Sequence, residues 1–355
     1  MLKISILTSL PSPYRLPIWD ALAQNNNLKL FFTNGEVNQR GWIVPKDTRW
    51  NYHFFSKKIF YFGEAQIIPN PFGFYRVCKN ADVVIIGGGW EVPIHVATLI
   101  YSRIARKKVF IISESTLQSH RFKGKVFAFI RRTIYKLATK VLSVGQLATE
   151  SLVKNGVPQE KIVELFNPID VEFFHRISQK GSRMPRSGHS YLCVGRFIPL
   201  KNFEKTIIAF SKVRNSEDTL TFVGEGNLQL SFEEKVRSLK LEDKIFFLGK
   251  KSQIALAEVY SNCDTLIMAS TNEVWGMVAS EALASGCHAV VSSKCGISNF
   301  IRDMRGVYIC GTDETSIAEM MKRSREEYTT KISNPEILQY SPQNFTMRLL
   351  NVISS

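Results

Sequence analysis

Two glutamates, Glu273 and Glu281, stand with seven residues between them in the segment STNEVWGMVASEALASG at 270–286. An apolar run typical of a buried strand precedes this segment, and the segment itself has the pattern of a helix start. Unpaired N–H groups at a helix start bind phosphates, and carboxylates on both sides of them suit the hydroxyls of a sugar. On spacing alone, an alternative of equal weight is that neither glutamate binds a ligand: Glu273 is then an acid at a helix start and Glu281 a solvated residue of the helix. The amides of this candidate phosphate site are those of Gly276, Met277 and Val278.

Two cations, Arg196 and Lys201, follow another apolar strand pattern, in the run GRFIPLKN. Arginine binds a diphosphate through parallel hydrogen bonds, and lysine acts as a point charge. Two solvated loop cations would be common on a basic protein, but a position directly after a buried strand favours anion binding. With the acids, these cations predict a site for a diphosphate linked to a sugar.

The elements that must position these residues alternate between strand and helix along a chain of 355 residues. At roughly 150 residues per domain, this length predicts about two domains. Strand–helix alternation predicts α/β folding into parallel, doubly wound sheets, which bind ligands beyond the carboxyl ends of their strands. The polar, aperiodic stretch 172–190 is interpreted as a linker. The predicted organisation is a domain at 1–171, the linker, a domain at 191–335, and a terminal helix within 336–355 that packs back toward the first domain.

The composition is that of a globular protein, with 45% apolar and 22% charged residues, which excludes disordered, collagenous and mucin-like chains. Six cysteines without a C-x-x-C pair predict neither a disulfide framework nor a zinc site, and they indicate a reducing compartment. The first apolar run is too short for a signal peptide, and no run reaches the ~18 residues of a membrane-spanning helix. We therefore expect a cytoplasmic protein.

Positive charge is concentrated in one part of the chain. The formal net charge of +15 divides into +12 for residues 1–170 and +3 for the remainder, and 101–140 holds eleven Lys and Arg against one acid, Glu114. A basic amphipathic helix pattern at 125–138 favours contact with the anionic inner face of the membrane over a simple solvated face. Nucleic-acid binding is not expected, because the sequence contains no known nucleic-acid module and no basic–aromatic array.

Four motifs follow one another in the C-terminal half: G-R-x-x-x-x-K-N from Gly195, V-G-E-G at 223–226, F-L-G at 247–249 and E-x-W-G-x-x-x-x-E-A-x-A-x-G from Glu273. In this order and spacing they resemble the C-terminal domain of glycosyltransferase family 4, the group 1 glycosyltransferases. The strand CDTLIMAST and the run NPID ahead of the linker are also similar to the family pattern. The resemblance implies a GT-B architecture, in which two Rossmann-like domains face a central cleft, and retaining transfer of a sugar from a nucleotide-sugar donor.

The resemblance also implies roles for individual residues. Arg196 and Lys201 would hold the donor diphosphate, Glu273 would contact the donor sugar, and Glu281 would accept from the ribose hydroxyls. The remaining donor contacts would come from the amides of Gly276, Met277 and Val278 and from the backbone of Leu248 and Gly249, which would meet the base. The sequence departs from the family at Asn299, where an acid is common, so the donor base, uracil or guanine, and the sugar stay open.

The N-terminal half matches the family less closely. The run formed by Ser12, Pro13, Tyr14 and Arg15 replaces the usual glycine-rich first loop and would form a lip at the end of the first strand. Glu114 and Ser115 end the middle strand, where the family often has a histidine, and His120 follows. We expect these three residues on the acceptor side of the cleft, with Glu114 taking part in catalysis. Pairing of Glu114 with a neighbouring arginine is an equal alternative.

These observations predict a glycosyltransferase that needs neither a metal ion nor a cofactor, because two cations replace the metal and no Asp-x-Asp signature stands in the strands of the cleft. The donor would be UDP- or GDP-linked, and the acceptor would be a hydroxyl of a glycan or of a polyprenyl-linked sugar. The expected setting is the synthesis of a surface polysaccharide or lipopolysaccharide. Alternatives are a nucleotide-sugar epimerase of the same architecture and a non-catalytic protein that binds nucleotide sugars.

Overall fold

The structure, a computed structural model, describes residues 1–33, 44–55, 60–62, 65–67, 72–117, 124–180 and 187–355. The chain divides into two compact units. Unit 1 comprises Met1–Pro168 together with Pro342–Ser355, and unit 2 comprises Ile169–Ser341. The boundary between them therefore falls three residues before the position 171 expected from the sequence.

Unit 1 contains a seven-stranded parallel sheet in the order β3-β2-β1-β6-β7-β8-β9, and a separate antiparallel pair, β4 and β5. Its strands are β1 (Lys3–Thr8), β2 (Asn27–Phe32), β3 (Asn51–Phe54), β4 (Phe60–Phe62), β5 (Ala65–Ile67), β6 (Val83–Gly87), β7 (Lys108–Ser113), β8 (Lys140–Val144) and β9 (Ile162–Leu165). Its helices are α1 (Leu16–Ala23), α2 (Gly73–Cys78), α3 (Pro93–Ile104), α4 (Lys125–Leu137), α5 (Gln146–Lys154) and α13 (Pro342–Ser354).

Unit 2 contains a six-stranded parallel sheet in the order β12-β11-β10-β13-β14-β15. Its strands are β10 (Ser190–Val194), β11 (Thr219–Val223), β12 (Ile245–Phe247), β13 (Thr265–Met268), β14 (His288–Ser292) and β15 (Val307–Cys310). Its helices are α6 (Val171–Lys180), α7 (Phe203–Val213), α8 (Gln229–Ser238), α9 (Gln253–Ser261), α10 (Met277–Ala284), α11 (Ser298–Ile301) and α12 (Glu314–Glu326).

Each sheet has a point where the strand order reverses. In unit 1 this point lies between β1 and β6, and in unit 2 it lies between β10 and β13. Loops leave these neighbouring strands on opposite sides and open a crevice at their carboxyl ends, where doubly wound sheets bind ligands. The predicted α/β fold of two doubly wound sheets is confirmed, and the crevices define where each unit can hold a ligand.

The stretch expected to be an aperiodic linker, 172–190, begins instead as helix α6. Asp170 starts this helix, since its carboxylate accepts a hydrogen bond from the Phe173 amide at 3.0 Å. Only Val171 and Phe174 are buried, which is too narrow an apolar stripe to show as a helical period in a polar sequence. The helix is fastened to α10 by Ser178, whose hydroxyl donates to the Ser285 carbonyl at 2.7 Å. Residues 181–186 lie outside the described residues.

Candidate functional site

Lys201 and Glu273 meet at the crevice of unit 2. The Lys201 Nζ atom donates to Glu273 Oε2, and both side chains are partly buried, with 17% and 24% of their surfaces exposed. The two residues are far apart in sequence, but β10 and β13 are paired in the sheet, so the loops that follow these strands emerge side by side. The structure therefore joins one predicted cation to one predicted acid in a single ion pair.

Asn202 holds the loop that carries Lys201. It has a left-handed backbone conformation, with φ of 60°, between the 3-10 helix Pro199–Lys201 and helix α7. Its side-chain amide donates to the Ala269 carbonyl at 3.0 Å and to the Thr312 carbonyl at 2.9 Å. These bonds link the loop to the ends of β13 and β15. Although Asn202 closes the motif G-R-x-x-x-x-K-N, its positioning role is not evident from the sequence.

The loop that carries Glu273 is held from its other side by the segment after β14. The Glu273 carbonyl accepts from the Gly296 amide at 2.9 Å, and the Trp275 carbonyl accepts from the Ile297 amide at 3.0 Å. A Cβ atom on Gly296 would lie 1.9 Å from the Val274 carbonyl oxygen, which is closer than any real contact. Glycine is required there because the two backbones touch.

Helix α10 begins at Met277, directly after the Glu273 loop. Gly276 precedes it with φ of 108°, a left-handed conformation that favours glycine. The first N–H groups of a helix have no acceptor within the helix, so the amides of Met277 and Val278 are donors at the same crevice. The dipole of the helix adds positive potential there, which makes this end of α10 suitable for phosphate oxygens.

Glu281 lies one turn into α10 and is fixed by a residue that the sequence analysis missed. Tyr260, on α9, is buried, and its hydroxyl donates to Glu281 Oε2 at 2.9 Å. Burial raises the pKa of Glu281 to about 7, and the hydrogen bond from Tyr260 opposes that rise. The carboxylate is therefore poised to change its charge near neutral pH.

The other predicted donor residues lie on exposed loops of unit 2. Phe197 is completely buried and anchors its loop, which leaves the neighbouring Arg196 exposed. Within the described parts of the chain, the Arg196 guanidinium has neither an ion pair nor a hydrogen bond. Leu248 and Gly249 follow β12, and nothing lies within 4 Å of the position where a Gly249 Cβ would be. Gly249 itself is half-buried and its carbonyl accepts from the Gly224 amide at 3.1 Å, so the open space lies beside its Cα atom.

A polar pocket of about 310 Å³ occupies the crevice of unit 1. Among its lining residues are five that the sequence singled out: Ser12, Tyr14, Arg15, Glu114 and Ser115. Arg15 Nη2 donates to Glu114 Oε1, so Glu114 is paired with a neighbouring arginine and also lines the pocket. Pro13 opens the short 3-10 helix that carries Arg15. His120 lies outside the described residues.

The triple glycine Gly87–Gly89 forms one wall of this pocket and hides His95. A Cβ on Gly88 would lie 2.3 Å from the His95 ring, so the loop and the ring are in direct contact. His95 Nδ1 is 2.9 Å from the Gly89 carbonyl oxygen, and burial lowers the pKa of His95 to about 4. A run of three glycines is typical of a close backbone approach, but no motif in the sequence marks His95.

The basic region 101–140 carries its charges unevenly. Arg131 is buried, donates to Asn155 Oδ1 at 2.8 Å and lies over the Trp90 ring, so it is not part of a basic surface. On α4, by contrast, Val126 and Phe129 are each 68% exposed and lie among exposed cations. Those cations are Lys125, Arg132 and Lys136. Among the described residues, no helix is long and apolar enough to cross a membrane.

Comparisons with known proteins bear on the family of part of this chain and on its fold. Residues 176–330 match the family of group 1 glycosyl transferases. An O-antigen chain mannosyltransferase of Salmonella typhimurium is 28% identical over 47% of this chain and 45% of its own length. A 4-alpha-N-acetylgalactosaminyltransferase of Campylobacter jejuni, whose named substrate is a diphospho-undecaprenol-linked sugar, is 25% identical over 71% of this chain and 70% of its own. The chain spans about half the length of several such curated relatives.

The fold comparison covers the whole chain. The crystal structure of Anabaena HepE in complex with UDP and glucose superimposes with a TM-score of 0.72, at 15% identity, over 100% of both chains. At this identity the likeness shows the fold alone, and that fold is the GT-B architecture expected from the sequence. The match to the family of group 1 glycosyl transferases, over residues 176–330, lies entirely within unit 2.

Proposed function

We propose that the protein transfers a sugar from a nucleotide-sugar donor to a hydroxyl group of an acceptor. The observation that carries this proposal is the Lys201–Glu273 ion pair at the crevice of unit 2, beside the N-terminus of α10. A cation, a carboxylate and free helix amides together match a diphosphate joined to a sugar. The relatives' printed names, which include transferases of O-antigen and lipid-linked sugars, support the same reaction class.

The hard step in this reaction is departure of the nucleoside diphosphate. Lys201 and the exposed Arg196 would neutralise the charge that develops on the leaving phosphate, and the amides at the start of α10 would donate to its oxygens. Because Lys201 and the helix amides are held in place before the reaction, they need no reorganisation, and such preorganised electrostatics is usually the largest catalytic contribution. We propose that these cations make a metal ion unnecessary.

Glu273 would contact the donor sugar while it orients Lys201. We propose that the configuration at the anomeric carbon is retained, with the leaving phosphate accepting the proton of the attacking hydroxyl. Glu281 would accept hydrogen bonds from the ribose, and the backbone of Leu248 and Gly249 would meet the base. The open space beside the Gly249 Cα atom supports this last contact.

The pocket of unit 1 would bind the acceptor. Its wall combines hydroxyl groups with the Arg15–Glu114 pair, a mixture of donors and acceptors that suits a polyhydroxylated glycan. We propose that Glu114 accepts from an acceptor hydroxyl and that the ion pair with Arg15 orients its carboxylate. An acceptor attached to a polyprenyl carrier fits the lipid-linked substrate in the name of the Campylobacter relative.

Donor binding provides a direct test. Calorimetric titration with UDP and with GDP is expected to show binding of one nucleotide, and replacing both Arg196 and Lys201 by Ala is expected to weaken it at least a hundredfold, since each charge-assisted contact contributes about 1.5–3 kcal/mol. Replacing Lys212 and Arg214 by Ala removes the same charge from an exposed part of unit 2 and is expected to leave the affinity unchanged. Equal affinities of the double variant and the unaltered protein would refute the diphosphate site.

Product analysis separates transfer from the two alternatives. An epimerase would convert a nucleotide sugar without an acceptor and release an altered nucleotide sugar. A non-catalytic binding protein would bind the nucleotide but would neither transfer nor slowly hydrolyse the sugar. A transferase is expected to release free sugar slowly when no acceptor is present. The rest of the donor is then recovered unaltered.

We also propose that α4 brings the protein to an anionic membrane surface, where a lipid-linked acceptor would be found. The exposed Val126 and Phe129 beside three exposed cations support this, because apolar side chains flanked by Lys and Arg bind at the headgroup level. Arg131, though basic, is excluded from this surface by its burial.

Binding to liposomes that contain anionic lipid is expected to fall about a hundredfold when Lys125, Arg132 and Lys136 are replaced by Gln, since each surface cation contributes about 1 kcal/mol. The control variant replaces two exposed lysines and one half-buried lysine of unit 2, Lys212, Lys322 and Lys235, and has the same net charge. Co-sedimentation at moderate salt measures both. If the two variants bind equally well, the surface of α4 is not the contact.

A further inference from the structure

Tyr260 has no role in the mechanism proposed above. Its side chain is completely buried in unit 2, yet its hydroxyl reaches Glu281 Oε2 at 2.9 Å. Tyr260 is buried and Glu281 is half-buried, so the hydroxyl approaches the carboxylate from the protein interior, and Glu281 Oε1 has no hydrogen-bond partner among the described residues. A tyrosine hydroxyl that donates to a carboxylate favours its ionised form and selects its orientation.

Three further contacts keep Tyr260 itself from moving. The ring centroid of Phe174, on α6, lies 6.0 Å from that of Tyr260 in an edge-on arrangement. The Tyr260 carbonyl accepts from Lys331 Nζ at 2.7 Å and from the Cys287 thiol at 3.2 Å. Ring and backbone are therefore both fixed, so the hydroxyl has a defined place before any ligand arrives.

We propose that Tyr260 is a positioning residue for the donor: it holds the Glu281 carboxylate ionised and aimed at the ribose hydroxyls, although it does not touch the donor itself. This inference rests on the proposed function, because the ribose is part of the proposed donor. Two ribose hydroxyls need a charged, correctly oriented acceptor, and a protonated Glu281 would present one of its oxygens as a donor instead.

The surroundings of Glu281 leave Tyr260 as the main control on its charge. Burial raises the pKa of Glu281, and the Tyr260 hydrogen bond is the contact that lowers it. The other titratable groups on elements around α9 and α10 act at a distance or on the backbone. They are His175 of α6, which bonds to the Ala284 carbonyl, Glu172 and Arg176 of α6, the thiols of Cys263 and Cys287, Lys331, and Glu336.

The test replaces Tyr260 by Phe, which removes the hydroxyl and keeps the buried ring. Affinity for UDP and for GDP is measured by calorimetry between pH 5.5 and pH 8.5 for the variant and the unaltered protein. With the Glu281 pKa at about 7 in the unaltered protein and a rise of roughly one unit in the variant, the variant is expected to bind about fivefold more weakly at pH 7. At pH 8.5 the ratio is expected to fall below about 1.5, because Glu281 is then mostly ionised in both proteins.

The matched control is Tyr308→Phe. The Tyr308 hydroxyl donates to the Glu327 carboxylate at 3.0 Å, so this variant loses the same kind of hydrogen bond away from the crevice. It is expected to bind with unchanged affinity at every pH. In a Glu281→Gln background, Tyr260→Phe is expected to have no further pH-dependent effect, because the titrating group is gone.

The outcomes separate this inference from the proposed function. If the unaltered protein binds neither nucleotide, the proposed function fails. If it binds one and Tyr260→Phe matches it at all pH values, or is weakened by the same factor at every pH, the inference fails while the donor site stands. A deficit that disappears as the pH rises supports the positioning role, since general damage to packing would persist at high pH.

Discussion

Glu273→Gln is expected to lower the rate of sugar transfer by about 10²–10³-fold while the protein stays folded. The amide keeps the size of the side chain but loses the charge that holds Lys201, so the cation is no longer fixed where the leaving phosphate develops its charge. The contact to the donor sugar also loses a charged acceptor. Transfer of labelled sugar measures the rate, and thermal unfolding checks that the variant is folded.

The control for this variant is Glu314→Gln. Glu314 forms an ion pair with Lys212, but that pair is exposed, with 37% and 47% of the side-chain surfaces in solvent. Exposed pairs contribute little to stability, so neither rate nor stability is expected to change. Transfer by Glu273→Gln within about threefold of the unaltered rate would remove Glu273 from the site.

Gly296→Ala is expected to lower the turnover of the folded protein about a hundredfold without any loss of a functional side chain. The new Cβ would lie 1.9 Å from the Val274 carbonyl oxygen, and because the obstacle is backbone, the loop that carries Glu273 must move. A shift of about 1 Å in a positioning element can cost about a hundredfold in rate. Steady-state kinetics, corrected for the folded fraction, measures the effect.

A second glycine provides the control for strain alone. A Cβ on Gly188 would lie 1.9 Å from the Glu217 carbonyl oxygen, a clash of the same size near the start of β10, at the opposite end of the sheet. Both variants are expected to lose about 1–3 kcal/mol of stability. Only Gly296→Ala is expected to lose turnover in its folded fraction, and equal kinetics for the two would show that the Gly296 segment does not position Glu273.

The strands and helices that carry the candidate sites could be predicted from the sequence because they are strongly patterned. The apolar runs of β1, β6, β10 and β13 are buried on both faces, as in any parallel sheet, and read as continuous hydrophobic segments. The edge strands β9 and β15 are harder to predict. Only one residue of β9 is buried, and β15 alternates between half-buried and buried positions, so the apolar signal of both is weak.

Helix α6 is difficult to predict from the sequence for a different reason. Its sequence is polar, and its stability comes from contacts with α9 and α10 rather than from its own pattern, for example the Ser178 hydrogen bond to Ser285. A similar limit applies to α4, where Val126 and Phe129 fit an apolar face in sequence but are exposed in the structure, and Arg131 is buried instead. Which face of an amphipathic helix is covered depends on its neighbours.

By itself, the sequence determined the fold class, the motifs of the donor domain and the residue types that could bind a diphosphate and a sugar, since these follow from local periodicity and spacing. Only the tertiary structure decided which of these residues are partners. Lys201 meets Glu273, Arg15 meets Glu114, and Tyr260 reaches Glu281 because strands and helices distant in the chain lie side by side. Such partnerships depend on sheet order and helix packing, which no local pattern encodes.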